Sequence, residues 1–246
     1  MSNWPIGYGR FVLAEVGSTL DEACLKVKDT PAPFWLLAHR QSAARGRRGR
    51  SWSMGQGSFA ASLVLRIQEP PMQAALRSFV TSLALYRAFV ELTGKPEAFV
   101  LKWPNDVLLN GGKVAGILLE SAGQSDVLSI GIGINLVNAP DLADVEQGAL
   151  PPVSLRGELS IVVTPEAFLD ILASHYAVLE RQFMDHGFAP IRLAWLAHAA
   201  RLGETITART TRESFTGIFQ DVDAKGHLVL RGPRGVMSIA AADVFF

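Results

Sequence analysis

Apolar positions follow two rhythms along the chain. Up to about residue 200, runs of strand length trade places with longer 3–4-spaced patterns. Residues 11–16, closed by Gly17, predict a strand. Residues 34–38 predict a short buried one, and residues 59–67 a third. Ser18-Thr19 opens a helix, with Thr19 and Glu22 spaced as a capping box. Residues 74–92 place Leu76, Phe79, Val80, Leu83, Tyr86 and Val90 on one helical face. Strands are expected at 98–102, 107–109 and 113–120, with Asn110-Gly111 as the hairpin turn between the last two. Another spans 127–137, interrupted by Gly131 and Gly133. A Pro-rich stretch (140–152) precedes Thr164-Pro165-Glu166, an N-cap and N1 pair that starts a helix carrying Phe168, Leu172 and Phe183. A last helix is expected near 190–200. Beyond Leu202 the rhythm becomes short alternation (205–209, 214–219, 227–230, 236–239) broken by turn residues. That is a β-module too small to hold a core alone, so it is expected to pack on the larger part. The division into domains is placed at residues 1–200 and 201–246.

Composition narrows the class. The 246 residues are 49% hydrophobic, with a mean hydropathy of +0.23, enough to bury a sizeable core. Lys+Arg 23 balance Asp+Glu 23, which argues against a general polyanion binder. Cys24 is the single cysteine, so an internal disulfide and a thiolate metal cluster are both excluded, and a reducing cytoplasm is expected. No apolar stretch reaches membrane-spanning length and no signal-peptide pattern opens the chain. A membrane role is not expected.

Charge is balanced globally but not locally. Residues 40–57 are an Arg/Gly/Ser-rich loop holding Arg40, Arg45, Arg47, Arg48 and Arg50 without an acidic residue among them. Glycines allow close backbone approach, and guanidinium forks match phosphate or carboxylate oxygens; a solvated loop or a nucleic-acid tether are the alternatives. A second segment is Lys102-Trp103-Pro104-Asn105-Asp106, followed by Lys113-Val114-Ala115-Gly116. Asn105 and Asp106 offer oxygens of the kind Mg²⁺ prefers, and Lys113 a point charge for a phosphate. A third, Gly17-Ser18-Thr19, sits where helix N–H groups can receive an anion or simply be capped. The fourth is the glycine-interrupted strand ending in Asn135. The five histidines fall in no Ser or Cys constellation.

Together, in this order and spacing, the four segments resemble the biotin–protein ligases, and the likeness runs from Phe11 to the end of the chain. The resemblance implies an α+β fold: a class II synthetase-like mixed sheet flanked by helices, with a small C-terminal SH3-like β-barrel. It implies two-step chemistry, in which ATP and biotin give biotinyl-5′-adenylate and a lysine of a biotin carboxyl carrier domain then takes the biotinyl group. Carried over position by position, Ser18, Thr19, Leu20, Gln41, Arg45, Gly46, Arg47, Lys113, Gly116 and Gly131 would bind biotin. Arg45, Arg47, Trp52, Asn105, Asp106, Lys113 and Asn135 would serve ATP. Lys113, Arg47 and Asp106 would be catalytic, with Asp106 also the Mg²⁺ ligand.

Two positions depart from the family pattern. Ala44 replaces the first glycine of the loop, and Leu20 replaces the Asn that usually follows Ser-Thr. Ala44 is expected at negative φ. The competing reading within the family is a lipoate or octanoate ligase or transferase. A DNA role is not expected, because the first catalytic strand begins at about Arg10. Residues 41–57 are expected to be mobile until ligand binds. If Asn110-Gly111 is a two-residue turn, Leu109 faces Gly112, Leu108 faces Lys113 and Asp106 faces Ala115. Asp106 and Lys113 would then share a face as diagonal neighbours about 7–8 Å apart, with room for a phosphate–Mg²⁺ unit between them.

Overall fold

In this computed structural model the described residues are 4–50, 52, 55, 57–121, 126–142, 145, 149–233 and 235–246. β1 (Gly9–Val16) and β2 (Phe34–Gln41) run parallel, joined by helix α1 (Thr19–Lys26). The remaining pairs of the sheet are antiparallel: β3 (Phe59–Arg66), β4 (Phe99–Lys102), β5 (Asp106–Leu109), β6 (Gly112–Ser121) and β7 (Val127–Ile134). The order across the seven-stranded sheet is β1-β2-β3-β7-β6-β5-β4. This is the expected mixed sheet.

Period-two alternation decides what each face meets. Trp35, Leu37, Leu63, Leu65, Ile130 and Ile132 enter the main core. They pack there with α3 (Arg77–Thr93) and α5 (Pro165–His186). Phe34, Leu36 and Val64 point the other way, into a smaller cluster with Ala23 and Val27 from α1. On this second face α1 lies over β2, β3 and β7. The strands beyond carry glycine rather than apolar bulk, and there the site forms.

Some boundaries differ from the sequence expectation. The helix expected at 74–92 is two pieces, α2 (Pro71–Ala74), with proline at its start, and α3. Ser18, not Thr19, caps α1: its Oγ accepts from the Leu20 amide at 3.3 Å. The Thr19–Glu22 capping box does not form, because the Thr19 hydroxyl is turned into the sheet. Thr164 does cap α5, accepting from the Ala167 amide. A one-and-a-half-turn helix, α4 (Leu155–Leu159), had no periodic signal, and α6 (Phe188–Leu196) is the expected last helix.

Five antiparallel strands make the second sheet, in the order β11-β10-β9-β8-β12. They are β8 (Thr205–Arg209), β9 (Ser214–Val222), β10 (Leu228–Gly232), β11 (Gly235–Ile239) and β12 (Asp243–Phe245). Four were expected; β12, three residues long, was not. Ile206, Phe219 and Leu230 join the main core rather than forming one of their own. Trp103 Nε1 also donates across to the Gly226 carbonyl at 3.0 Å.

Candidate functional site

Glycine makes the floor. Gly116 pairs with Gly133, and Leu118 with Gly131, across β6 and β7. Each glycine lacks the Cβ that would block the face. A Cβ on Gly133 would lie 2.6 Å from Trp52, one on Gly116 3.0 Å from the same ring, and one on Gly131 3.0 Å from Leu20. The indole of Trp52 and the side chain of Leu20 therefore rest directly on backbone, as no larger residue would permit.

Asn110 (φ 49) and Gly111 (φ 84) form the two-residue turn, and Leu109–Gly112 and Leu108–Lys113 pair as expected. The register then slips. Val107 pairs with Ala115 and Asp106 with Gly116, so Val114 is a bulged extra residue. The bulge sends both Val114 and Ala115 into the core, and brings Lys113 and Gly116, three positions apart, onto one face. Lys113 Cε comes within 3.3 Å of a Cβ placed on Gly116. The expected 7–8 Å gap between Asp106 and Lys113 is absent: Lys113 Nζ meets Asp106 Oδ1 at 2.7 Å. The Pro-rich segment returns to fix this lysine's backbone, with the Lys113 amide donating to Pro151 O (2.8 Å) and Val153 N to Lys113 O (3.0 Å).

Asp106 gathers cations. Lys102 Nζ lies 3.9 Å away on the neighbouring strand, and Arg47 approaches from the loop. Burial alone would push the Asp106 carboxyl up, but Lys113, Lys102 and Arg47 together hold it below the usual carboxylate range. The same burial lowers Lys102, against the pull of Asp106. Asn105 and Asn135 act on the backbone: Asn105 Nδ2 donates to Ile117 O (2.7 Å) and Asn135 Nδ2 to Val153 O (3.1 Å). Asn135 Oδ1 and Trp52 Nε1 are buried without a hydrogen-bond partner among the described residues. Unsatisfied groups of this kind are costly unless a ligand completes them.

At the α1 end, the Thr19 amide and hydroxyl both donate to Gln41 Oε1 (2.6 and 3.0 Å), and Ser62 Oγ donates to Thr19 Oγ1 (2.9 Å). Arg45 is clamped, its fork shared between Asp21 and Glu120 at 2.7–3.1 Å, which strengthens its hold on its proton. Ala44 is not among the described non-glycine residues of positive φ; Arg48 is, at φ 58° and ψ 27°. That conformation costs a non-glycine residue roughly 1–2 kcal/mol.

One cavity of about 510 Å³ collects these groups. Every residue carried over to the biotin or ATP site lines it except Ser18, whose hydroxyl is spent on the helix cap. Residues 11–136 match the biotin/lipoate A/B protein ligase family, and residues 202–246 the biotin protein ligase C terminal domain. The chain belongs to the biotin/lipoate A/B protein ligase family. It is 52% identical to a biotin–(acetyl-CoA-carboxylase) ligase of Paracoccus denitrificans over 96% of this chain and 99% of that one. It is 30% identical to the bifunctional ligase/repressor BirA of Bacillus subtilis over 95% of this chain and 71% of that one. Among solved structures, the biotin protein ligase from Aquifex aeolicus in complex with biotin and ATP superposes with a TM-score of 0.82 at 26% identity, covering 96% of this chain and 97% of that one.

Sequence reasoning missed part of the wall that this family member builds. Lys102 lies inside the recognised motif, yet its charge was not counted; a lysine at the end of a short edge strand carries no signal of burial. Pro140, Leu150 and Pro152 line one side, and Asp243 to Phe246 another. Neither stretch has a period to read. Among the described residues, no group of three or more His, Cys, Asp or Glu could hold a metal ion. None of the described helices is long and apolar enough to cross a membrane.

Proposed function

We propose that this protein is an ATP-dependent biotin–protein ligase. Residues 1–200 hold biotin and ATP, and residues 201–246 close the site. The biotin carboxylate attacks the α-phosphorus of ATP; the bond to the bridging oxygen breaks, and pyrophosphate leaves with its electron pair. The neutral amine of a lysine on a biotin carboxyl carrier domain then attacks the biotinyl carbonyl of the adenylate. An amide forms, AMP leaves, and the amine's proton is released.

The observation that carries this reading is the cation cluster on the glycine floor. Two anions repel each other during the first step, and positive charge fixed between them lowers that barrier most where water is excluded. Lys113 and Lys102 share the Asp106 carboxylate there, and Arg47, paired with Asp243 at 3.7 Å, adds its field from the loop, so positive charge is in excess until anions enter. Beside the floor there is room for the compact fused rings of biotin, with Leu20 as an apolar wall and Thr19 and Gln41 as the polar end. Asn135 Oδ1 and Trp52 Nε1 supply an acceptor and a donor that a nucleotide would satisfy. The 52% identity to a biotin ligase supports biotin over lipoate as the acid.

Mg²⁺ enters as part of the substrate nucleotide, held chiefly by phosphate oxygens and water, as is usual for this ion. Asp106, the carboxylate between Lys102 and Lys113, could add a ligand. It can do so as Lys113 moves from it to a phosphate.

Pyrophosphate exchange into ATP, measured with biotin and, in parallel, with lipoate and octanoate, tests the reading. Exchange is expected with biotin. Exchange with lipoate but not with biotin would overturn it.

A further inference from the structure

The arginine loop is tied down by one carboxylate from the far end of the chain. Asp243 accepts from Arg48 Nη1 at 2.7 Å and from Arg50 Nη2 at 3.1 Å, and Arg47 pairs with it at 3.7 Å. The adjacent Ala242 carbonyl accepts from Arg47 Nη1 at 3.3 Å. Asp243 is itself well placed to hold: its strand β12 pairs with β8, Asp243 opposite Arg209, and Val244 beside it is buried.

Three guanidinium groups within four residues repel one another, and this loop has no hydrophobic period of its own to fix it. A carboxylate from a separate, rigid sheet supplies the anchor. Arg48 and Arg50 take the two short contacts. Arg47 has the longest ion pair, lines the cavity and faces Asp106, so part of its five-donor fork stays directed at the substrate space.

We propose that Asp243 is a positioning residue for the nucleotide: through Arg48 and Arg50 it holds Arg47 where the ATP phosphates bind. This rests on the ligase reading above and adds the β-module's part in it. Asp243 does not touch the reacting atoms.

The test is steady-state pyrophosphate exchange with full-length Asp243→Asn and Asp243→Glu, varying ATP and biotin separately, with thermal midpoints alongside. Asp243→Asn is expected to raise the KM for ATP about tenfold, the usual scale for losing a charge-assisted contact, while the KM for biotin stays within about twofold. Asp243→Glu should restore most of the ATP dependence. Arg48→Gly provides an independent check that folding will tolerate, because its φ of 58° suits glycine and only the contact to Asp243 is lost. It should raise the KM for ATP in the same direction. A KM for ATP that is unchanged in Asp243→Asn, even with a lowered thermal midpoint, makes Asp243 merely structural and overturns the proposal. A lowered KM also overturns it, by making Asp243 a competitor of the phosphates. The wild-type protein separates the two readings. Its failure to exchange with biotin ends the ligase reading, whereas normal exchange with ATP saturation insensitive to Asp243 ends this one.

Discussion

Lys113→Ala acts at the point where most of the site's electrostatics meet. The ammonium is 2.7 Å from Asp106 Oδ1 and 5.3 Å from the centre of the Trp52 ring. Its loss has two consequences of similar size. The first is the missing charge at the α-phosphorus, for which removal of one preorganised contact typically costs ~10²–10³ in rate, or about 2.7–4 kcal/mol. The second is an exposed carboxylate: Asp106 keeps only Lys102, 3.9 Å away, and the more distant Arg47. At about 5 Å from a phosphate oxygen, with an effective dielectric near 20, that negative charge adds roughly 3 kcal/mol of repulsion before screening and relaxation.

The double variant Asp106→Asn/Lys113→Ala separates these terms, since neighbouring sites do not add. If Asp106 mainly pairs with the lysines, the double variant should exchange pyrophosphate faster than Lys113→Ala alone, by about tenfold. If Asp106 is chiefly an Mg²⁺ ligand, the double variant should be slower. Pyrophosphate exchange at saturating biotin, with Mg²⁺ varied, reads both. Unchanged turnover in Lys113→Ala would refute the assignment of that lysine altogether, and a slower double variant would refute the pairing argument.

Other consequences are equally open to measurement. Gly133→Ala puts a methyl group 2.6 Å from Trp52, so the indole must leave the floor; kcat/KM for ATP should fall roughly 10–10²-fold with an unchanged far-UV spectrum, and normal kinetics would show that Trp52 has no part in the site. Arg77, 2% exposed, bridges Glu69 and Glu180 beneath Tyr176. Arg77→Ala strands two half-buried or buried carboxylates, which should cost about 3–5 kcal/mol and lower Tm by roughly 10 °C, against no change if the cluster is dispensable. Acid sensitivity follows from Asp106, whose folded pKa is depressed: burial opposes this but Lys113, Lys102 and Arg47 prevail. Its stabilisation is complete above the unfolded pKa of about 4 and is lost as pH falls through the folded value. Denaturant midpoints should therefore be flat from pH 7 to 5 as far as Asp106 is concerned and fall below about 4, with a smaller acid loss in Asp106→Asn.

Local rules carried the reading of the sequence as far as local rules apply. The unbroken apolar run at residues 34–38 named a buried strand because both faces of β2 are covered, by α1 and by α5. Asn110-Gly111 named its turn because two successive residues at positive φ suit almost no other pair. The bulge at Val114 escaped notice, since Val-Ala reads the same in a regular strand as in a slipped one. That slip is what turned an expected gap between Asp106 and Lys113 into a direct ion pair. Thr19 was named as the cap instead of Ser18, because both satisfy the pattern and only the position of Gln41 across the sheet decides which hydroxyl is free. The recognised motifs located the floor and the cation cluster of the cavity but not the two sides that close it. β12 and the Pro-rich segment act through contacts at long sequence separation, and these leave no periodic trace.

Zero net charge seemed to weigh against a site for polyanions, and the structure shows why the two are compatible. Arg45, Arg47, Arg48, Arg50, Lys102 and Lys113 stand around the site, and the carboxylates they meet include Asp21, Glu120, Asp243 and Asp106. Each carboxylate comes from a different element, α1, β6, β12 and β5, so no acidic run in the sequence announces the arrangement. The excess of cations is confined to one enclosed space, where a field is screened least. Arg45 is held by two carboxylates, which suits a structural clamp on the loop, whereas Lys102 and Lys113 share one, with Arg47, itself paired with Asp243, adding to the positive field there. The uncompensated charge therefore sits at the glycine floor, beside the place for a carboxylate and a triphosphate to meet. On the proposed reading, attraction for the substrates and protection of the reactive intermediate have a common origin: Arg47, which lines the cavity, belongs to the same loop that Arg48 and Arg50 tie to the β-module.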